Sequence, residues 1–429
     1  MKCIYCNNEN DLTSSDIVSY GITGAKLTKT FVCREHNAFT NDNYEKEFIN
    51  NLDFIRNRIG LTTRDNKEII YNADLTIDGE MIFDIKLSGK NIMSLSKKIL
   101  KGKDKDGKKV LLGDSDKLKR IKNGKFRRMK KTNAIVHVTI NSEWFLGKCA
   151  LHSIAKMAYE WHCYENGIEE YKSENSEIVN YILGKKENDG LVEIILDSNF
   201  YKALDYASSP GTNSFFEYDE DGYLYVVVNL WNTISYKVKL RQYDNTISYI
   251  SSLHLLNIDG TKERKSFLLC NKSDGIIQVK SILPSEITRD KWDIFRIRFE
   301  KLLSTFLLSV RILNNVVSGI KTDLVKFQNK NIELDELLGF GDEDRIITII
   351  IIMFLYINKS KYNSSLSFNE NLMRIILPTN GTLSMTKDDK EKVIADLTKS
   401  NDNGEFVPLL MESIRFFEEI YSIEVAKRK

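Results

Sequence analysis

Two short ligand pairs near the N-terminus, Cys3-x2-Cys6 and Cys33-x2-His36, constrain this chain more than any other feature. Thiolate and imidazole both suit zinc, and four such donors close a tetrahedral structural site. A spacing of two lets both side chains of a pair converge on one ion from a tight turn. Three of the six cysteines and one of the five histidines fall in this pattern. A segment of about sixty residues has little core of its own, so zinc binding would supply much of its folding free energy. Between the pairs, Leu12–Val18 reads as a strand, Gly21-x-x-Gly24 as a loop, Thr30–Cys33 as a second strand, and a helix follows from Asn37. The expected unit is a zinc-bound ββα module over residues 1–62.

Composition limits the rest. A chain of 429 residues, 42% hydrophobic and 28% charged, is long enough for two or three globular domains. Six cysteines are too few for a disulfide scaffold at this length and point to a reducing compartment. MKCIYCNNEND has no apolar stretch of the kind a signal peptide needs. The longest apolar run, Ile346–Ile357 broken only by Thr348, falls short of the roughly twenty residues that span a bilayer. The expectation is a soluble, cytoplasmic protein with no membrane partner. Net charge is only +2, so a nucleic-acid partner must be argued from local patches.

Over residues 1–60 the chain resembles the HNH endonucleases, whose core reads C-x2-C, E-H-I, a glycine-containing loop and C-x2-C-N. The corresponding residues are Cys3 and Cys6, Ser15-Asp16-Ile17, Gly21 and Gly24, and Cys33-Arg34-Glu35-His36-Asn37. A weaker likeness to longer relatives continues at Lys148–Cys163 (KCALHSIAKMAYEWHC) and Tyr223–Leu240. The resemblance implies metal-dependent phosphodiester hydrolysis, with zinc held by Cys3, Cys6, Cys33 and His36. It implies that Asn37 holds the loop carrying the base, and that Glu45 occupies a carboxylate position, with Asp42 and Asn43 nearby. Two departures stand out: Asp16 replaces the histidine that activates water, and Ser15 replaces the acidic residue before it. An ionised Asp16 is a hard oxygen ligand for magnesium or manganese, whose bound water would be the nucleophile. It is a weaker general base than histidine, because the best catalytic pKa lies near the working pH. Two functions therefore stay open: an altered HNH-like nuclease acting on nucleic acid, with DNA expected, or a catalytically degenerate zinc module that binds nucleic acid or protein in a regulatory role.

Residues 97–131 hold sixteen Lys or Arg against four Asp, a local excess of +12. Lys117, Lys119, Arg120, Lys122, Lys125, Arg127, Arg128, Lys130 and Lys131 form its densest part, with Phe126 among them. Such a run neutralises phosphates without sequence preference, and it also reads as a solvated loop. Asp74, Asp84 and Lys86 spell D-x9-D-x-K, the pattern of another nuclease class, on what reads as a β-hairpin with an Asp78-Gly79 turn. Cys149, His152, His162 and Cys163 have ligand chemistry, but Leu151, Ile154, Ala155, Ala158 and His162 form one helical stripe, which makes His162 a core histidine and Cys163 a small hydrophobe. Glu217, Asp219, Glu220 and Asp221 before Gly222 read as a solvated turn, and Gly339-Phe-Gly341 lacks the setting of a nucleotide site.

The remainder reads as α+β. A hairpin and basic segment occupy 63–132, and a mixed α+β body of unknown role occupies 133–429. Strands are expected at 68–88, 133–140 and through 191–270, with Tyr223–Leu230 and Ile234–Leu240 adjacent and antiparallel. Helices are expected over 146–165, 174–184, Asp290–Val317 and 387–425, the last broken at Asn401–Gly404.

Overall fold

A computed structural model describes residues 1–24, 29–77, 79–87, 99–113, 118, 134–243, 250–258, 261–268, 279–307, 310–338, 343–364, 368, 371, 399 and 401–426. The class is α+β, and the chain forms two compact units, each assembled from separated stretches. The first takes in residues 1–57, 61–69 and 139–302; the second takes in 58–60, 70–138 and 303–429. The body expected as one piece over 133–429 is thus divided between them. Composition marks where the chain changes character, whereas the units follow from which apolar faces meet.

In the first unit, strands β1 (Leu12–Asp16) and β2 (Lys29–Cys33) pair antiparallel, Leu12 opposite Cys33 and Asp16 opposite Lys29. The stretch expected as a loop contains a short helix, Tyr20–Thr23, capped by the Ser19 side chain and closed by Gly24 at φ +74°. Gly21 is needed there, because a Cβ would stand 2.6 Å from Ile49 Cγ2. The following helix begins at Arg34, three residues earlier than expected. It runs Arg34–Thr40, passes through a π-helical turn, Asn41–Glu45, and continues as Lys46–Asn51.

In the second unit, β3 (Tyr71–Ile77), β4 (Glu80–Leu87), β5 (Leu100–Lys103), β6 (Lys109–Leu112) and β7 (Ala134–His137) form an antiparallel sheet in the order β6-β5-β4-β3-β7. Tyr71, Ala73, Leu75 and Ile77 alternate inward. On β4 the buried residues are Ile82, Ile85 and Leu87, one step out of strict alternation. A bulge between Ala73 and Leu75, opposite Asp84 at φ +56°, absorbs the extra residue and keeps one apolar face.

The other large sheet belongs to the first unit. It is built from β8 (Val192–Ile195), β9 (Asn213–Glu220), β10 (Tyr223–Leu230), β11 (Ile234–Gln242), β12 (Ile250–Leu256), β13 (Lys262–Leu268) and β14 (Ser281–Ile282), ordered β13-β12-β9-β10-β11-β8-β14. Trp231 and Asn232, both at positive φ, turn β10 into β11. The 191–270 stretch, expected as strands throughout, also contains the helix Ser198–Ala207, which Asp197 caps through the N–H groups of Asn199 and Phe200. The helix Lys148–Glu165 is buried from Ala150 through Cys163. It packs on β9, β10 and β11, and also on β2 and the Asn41–Glu45 turn of the zinc module. That double contact makes the module and residues 139–302 one unit.

The helix expected over Asp290–Val317 is two, Arg289–Leu307 and Val310–Gln328. Residues 308 and 309 lie outside the described set. The apolar run lies in the helix Glu343–Ile357, whose Ile349 and Ile352 join Leu313, Ile320, Phe406, Leu410 and Phe417 in the helical core of the second unit. Of the 387–425 expectation, Phe406–Ala426 is a helix and residues 387–398 lie outside the described set. Among the described residues no helix is long and apolar enough to cross a membrane.

Candidate metal centre

The four predicted zinc ligands come together. Their ligand atoms all lie within 4.8 Å of one another. Cys6 Sγ is 3.9 Å from Cys33 Sγ, and His36 Nδ1 is 3.2 Å from Cys33 Sγ and 3.7 Å from Cys3 Sγ. Two thiolates at about 2.3 Å from one tetrahedral zinc stand about 3.8 Å apart, so the cage fits this ion. Among the described residues it is the one group of three or more His, Cys, Asp or Glu able to share a metal. The first pair sits in a tight turn that Asn7 closes at φ +61°, where the Tyr5 N–H donates to Cys3 Sγ at 3.4 Å. The second pair joins the end of β2 to the first turn of the helix. Burial pushes the Cys3 and Cys33 thiols up and the His36 imidazole down. Zinc would therefore displace thiol protons on binding.

The three residues singled out for chemistry face different neighbours. Asp16, at the end of β1 away from Cys33, pairs with Arg64 at 2.9 Å. Asn37 donates to Thr13 Oγ1 at 3.1 Å and so ties the helix to β1. Glu45 is turned inward by the π-helical turn, where its carboxylate lies 3.3 Å from the Lys156 ammonium. Lys156 also donates to the Asp16 carbonyl at 3.1 Å and to Glu160 at 3.2 Å. The other Glu160 oxygen accepts from Tyr5 at 2.9 Å and from Ser15 at 3.1 Å. Ser15 and Asp16 thus point to opposite sides of β1, as the pleat requires. Burial opposes charge on Lys156, but Glu160 and Glu45 outweigh it and hold its pKa above the ordinary value. Two carboxylates around one ammonium leave a negative charge uncompensated, and burial drives the Glu160 carboxyl up.

Sequence reasoning missed Lys156, Glu160 and Arg64. For the first two a signal was present: they are charges four apart inside KCALHSIAKMAYEWHC, a segment otherwise apolar on most sides. Buried charges at that spacing must pair with each other or with something brought to them.

Of the other constellations, Asp74 and Asp84 stay adjacent across the hairpin: the Asp84 N–H donates to Asp74 at 3.1 Å, while Lys103 takes the Asp84 carboxylate at 2.6 Å. His162 is a core histidine satisfied on one side only: its Nδ1 bonds Glu217 at 2.6 Å, while its buried Nε2 has no hydrogen-bond partner among the described residues. Burial pushes the Cys163 thiol up to about 12, which leaves it inert. The expected acidic turn shrinks to Asp221-Gly222, because Glu217 reaches His162 and Glu220 reaches Lys237. Gly339 and Gly341, and the basic residues Lys117, Lys119, Arg120, Lys122, Lys125, Arg127, Arg128, Lys130 and Lys131, lie outside the described residues.

His152 stacks between Tyr44 and Tyr181, with ring centroids 4.2 Å away on both sides. Burial, aided by Lys148, lowers its pKa to about 4. The unfolded chain takes up this proton near the ordinary value of about 6.5, so acid favours unfolding over the window from pH 6.5 down to 4. Between pH 7 and 5 the wild type is expected to lose about 2 kcal/mol more than a His152→Phe variant, read by urea unfolding at both pH values. Equal losses in the two chains would remove His152 as the cause.

No family model matches this chain, and comparison with curated proteins and with solved structures finds no match.

Proposed function

We propose that this chain is an HNH-like, metal-dependent endonuclease that hydrolyses phosphodiester bonds of nucleic acid, with DNA the first substrate to test. The observation that carries the reading is the zinc cage itself. Four donors within 4.8 Å close the β1–β2 hairpin onto the helix that follows, with Asp16 at the far end of β1. Zinc is structural in this reading. Asp16 is the side chain that would hold magnesium or manganese, an ion that supplies a bound water of lowered pKa. Arg64 is largely exposed, while the Asp16 side chain it pairs with is mostly buried, and its guanidinium suits a phosphate oxygen. Asn37 steadies β1 through Thr13. Glu45 does not fit as a second ligand, because it already faces the Lys156 ammonium. Magnesium commonly takes one or two carboxylates and completes its shell with water and substrate phosphates. A lone Asp16 carboxylate suits an ion that arrives with nucleic acid. The Lys117–Lys131 run would hold the phosphate backbone, and free thiols in the zinc cage suit the reducing cytoplasm.

The second reading is a zinc module that binds nucleic acid or protein without cutting. It is favoured by the buried Lys156, which neutralises one of the two expected catalytic carboxylates. Supercoiled plasmid incubated with the zinc-loaded chain and Mg²⁺ or Mn²⁺ separates the two. The expected result is nicking that Asp16→Ala reduces by about 10²-fold or more while zinc content stays unchanged. Absence of nicking by the wild type, with salt-sensitive binding to the same plasmid, would establish the second reading.

A further inference from the structure

Three oxygens from three separate segments converge on one ammonium inside the first unit. Lys156 Nζ lies 3.1 Å from the Asp16 carbonyl on β1, 3.2 Å from Glu160 Oε2 on its own helix, and 3.3 Å from Glu45 Oε1 on the π-helical turn. The Lys156 and Glu160 side chains are essentially sealed from solvent and that of Glu45 is nearly so. Ser15 and Tyr5 bind the far oxygen of Glu160 and fix its orientation. Two carboxylates and a carbonyl are hard oxygen donors of the kind that hold magnesium or manganese. Buried carboxylates need a cation close by. At this place the cation is part of the chain.

We propose that Lys156 is the resident cation of a divalent-ion pocket formed by Glu45, Glu160 and the Asp16 carbonyl, excluding metal from Glu45 and pinning the strand end that carries Asp16. This deepens the nuclease reading and rests on it only in treating residues 1–60 as a module whose acidic residues face a cation. The distances are those of an ammonium. A manganese or magnesium ion needs its oxygens at about 2.0–2.2 Å, so the donors would have to close by about 1 Å around an emptied centre. Lys156 cannot vacate that centre by swinging outward, because Ala155, Met157, Tyr159 and Glu160 around it on the helix are all buried. Metal dependence, if the chain cuts, then belongs to the Asp16 carboxylate, whose partner Arg64 lies at the surface.

The test counts bound Mn²⁺ by electron paramagnetic resonance on the zinc-loaded full chain, in an Asp16→Ala background so that the outer carboxylate contributes nothing. With Lys156 present, adding Glu45→Gln is expected to leave Mn²⁺ affinity unchanged. Lys156→Met is expected to create one Mn²⁺ site per chain, and Glu45→Gln in that variant to weaken it by about tenfold or more. The proposal is overturned if Lys156→Met keeps its zinc and circular dichroism yet gains no ion. It is equally overturned if Glu45→Gln weakens Mn²⁺ binding about tenfold while Lys156 is present. Should Lys156→Met lose its zinc, the Glu45→Gln comparison decides alone. Failure of the plasmid to be nicked changes none of these outcomes, because only binding is read.

Discussion

Cys33→Ser is expected to strip zinc from the chain and unfold residues 1–60. Cys33 Sγ faces both Cys6 Sγ, at 3.9 Å, and His36 Nδ1, at 3.2 Å, from the junction of β2 and the helix. Its loss opens the cage at the point where the hairpin and the helix are joined. Structural zinc contributes about 10–16 kcal/mol in small zinc-finger peptides, as much as the whole stability of a typical domain, about 5–15 kcal/mol. The hairpin itself is two strands of five residues, too small to persist alone. The damage should spread within the first unit: the Trp231 indole donates to the Ile22 carbonyl at 3.0 Å, and the Tyr159 hydroxyl donates to the Ile4 carbonyl at 2.7 Å. Metal content, circular dichroism and tryptophan emission would read the effect, with a strong chelator on the wild type reproducing it. Cys149→Ser, outside the cage, should keep its zinc. A Cys33→Ser chain with full zinc and an unchanged melting curve would refute the cage as a structural site.

Lys156→Ala should be the most damaging substitution that leaves every zinc ligand in place. It abandons Glu45 and Glu160 in the interior without their ammonium, and breaking a buried ion pair from one side costs about 3–5 kcal/mol. The sign of its pH dependence is fixed by which state holds the protons. In the variant the Glu160 carboxyl, already driven up by burial, loses the ammonium that opposed this, so its folded-state pKa lies further above that of the unfolded chain. The folded state then binds more protons, and its stability is recovered at low pH and lost as pH rises through that folded value. Urea unfolding should therefore show the deficit against the wild type widening from pH 4 to pH 7. A triple variant with Glu45→Gln and Glu160→Gln added should regain most of the loss, since neutral amides can stay buried with ordinary hydrogen bonds. A deficit that is small, or flat across that range, would mean that the two carboxylates are solvated in the native protein.

The parts of this protein legible in its residues are those set by local spacing. A separation of two places Cys3 with Cys6 and Cys33 with His36 on one ion whatever lies elsewhere, and the structure brings all four together. Alternation of apolar residues marks β3 and β11, because the pleat repeats every second residue wherever the strand sits. The spacing rule weakened where a local exception intervened. Gly21 and Gly24 read as a loop, but Gly21 lies within a short helix that Gly24 closes, and the π-helical turn at Asn41–Glu45 swings Glu45 inward, which no hydropathy pattern announces. Tertiary structure alone decided what faces Asp16, Glu45 and Ser15. Arg64 reaches Asp16 across 48 positions, Glu160 reaches Ser15 across 145, and Lys156 reaches the Asp16 carbonyl across 140. It also decided that residues 139–302 belong with the zinc module and 303–429 do not. Short-range geometry is written into residue spacing because bond lengths and helical or pleated repeats are the same in every chain. A charge buried far from its partner in sequence is settled only by which surfaces the whole chain can bring together.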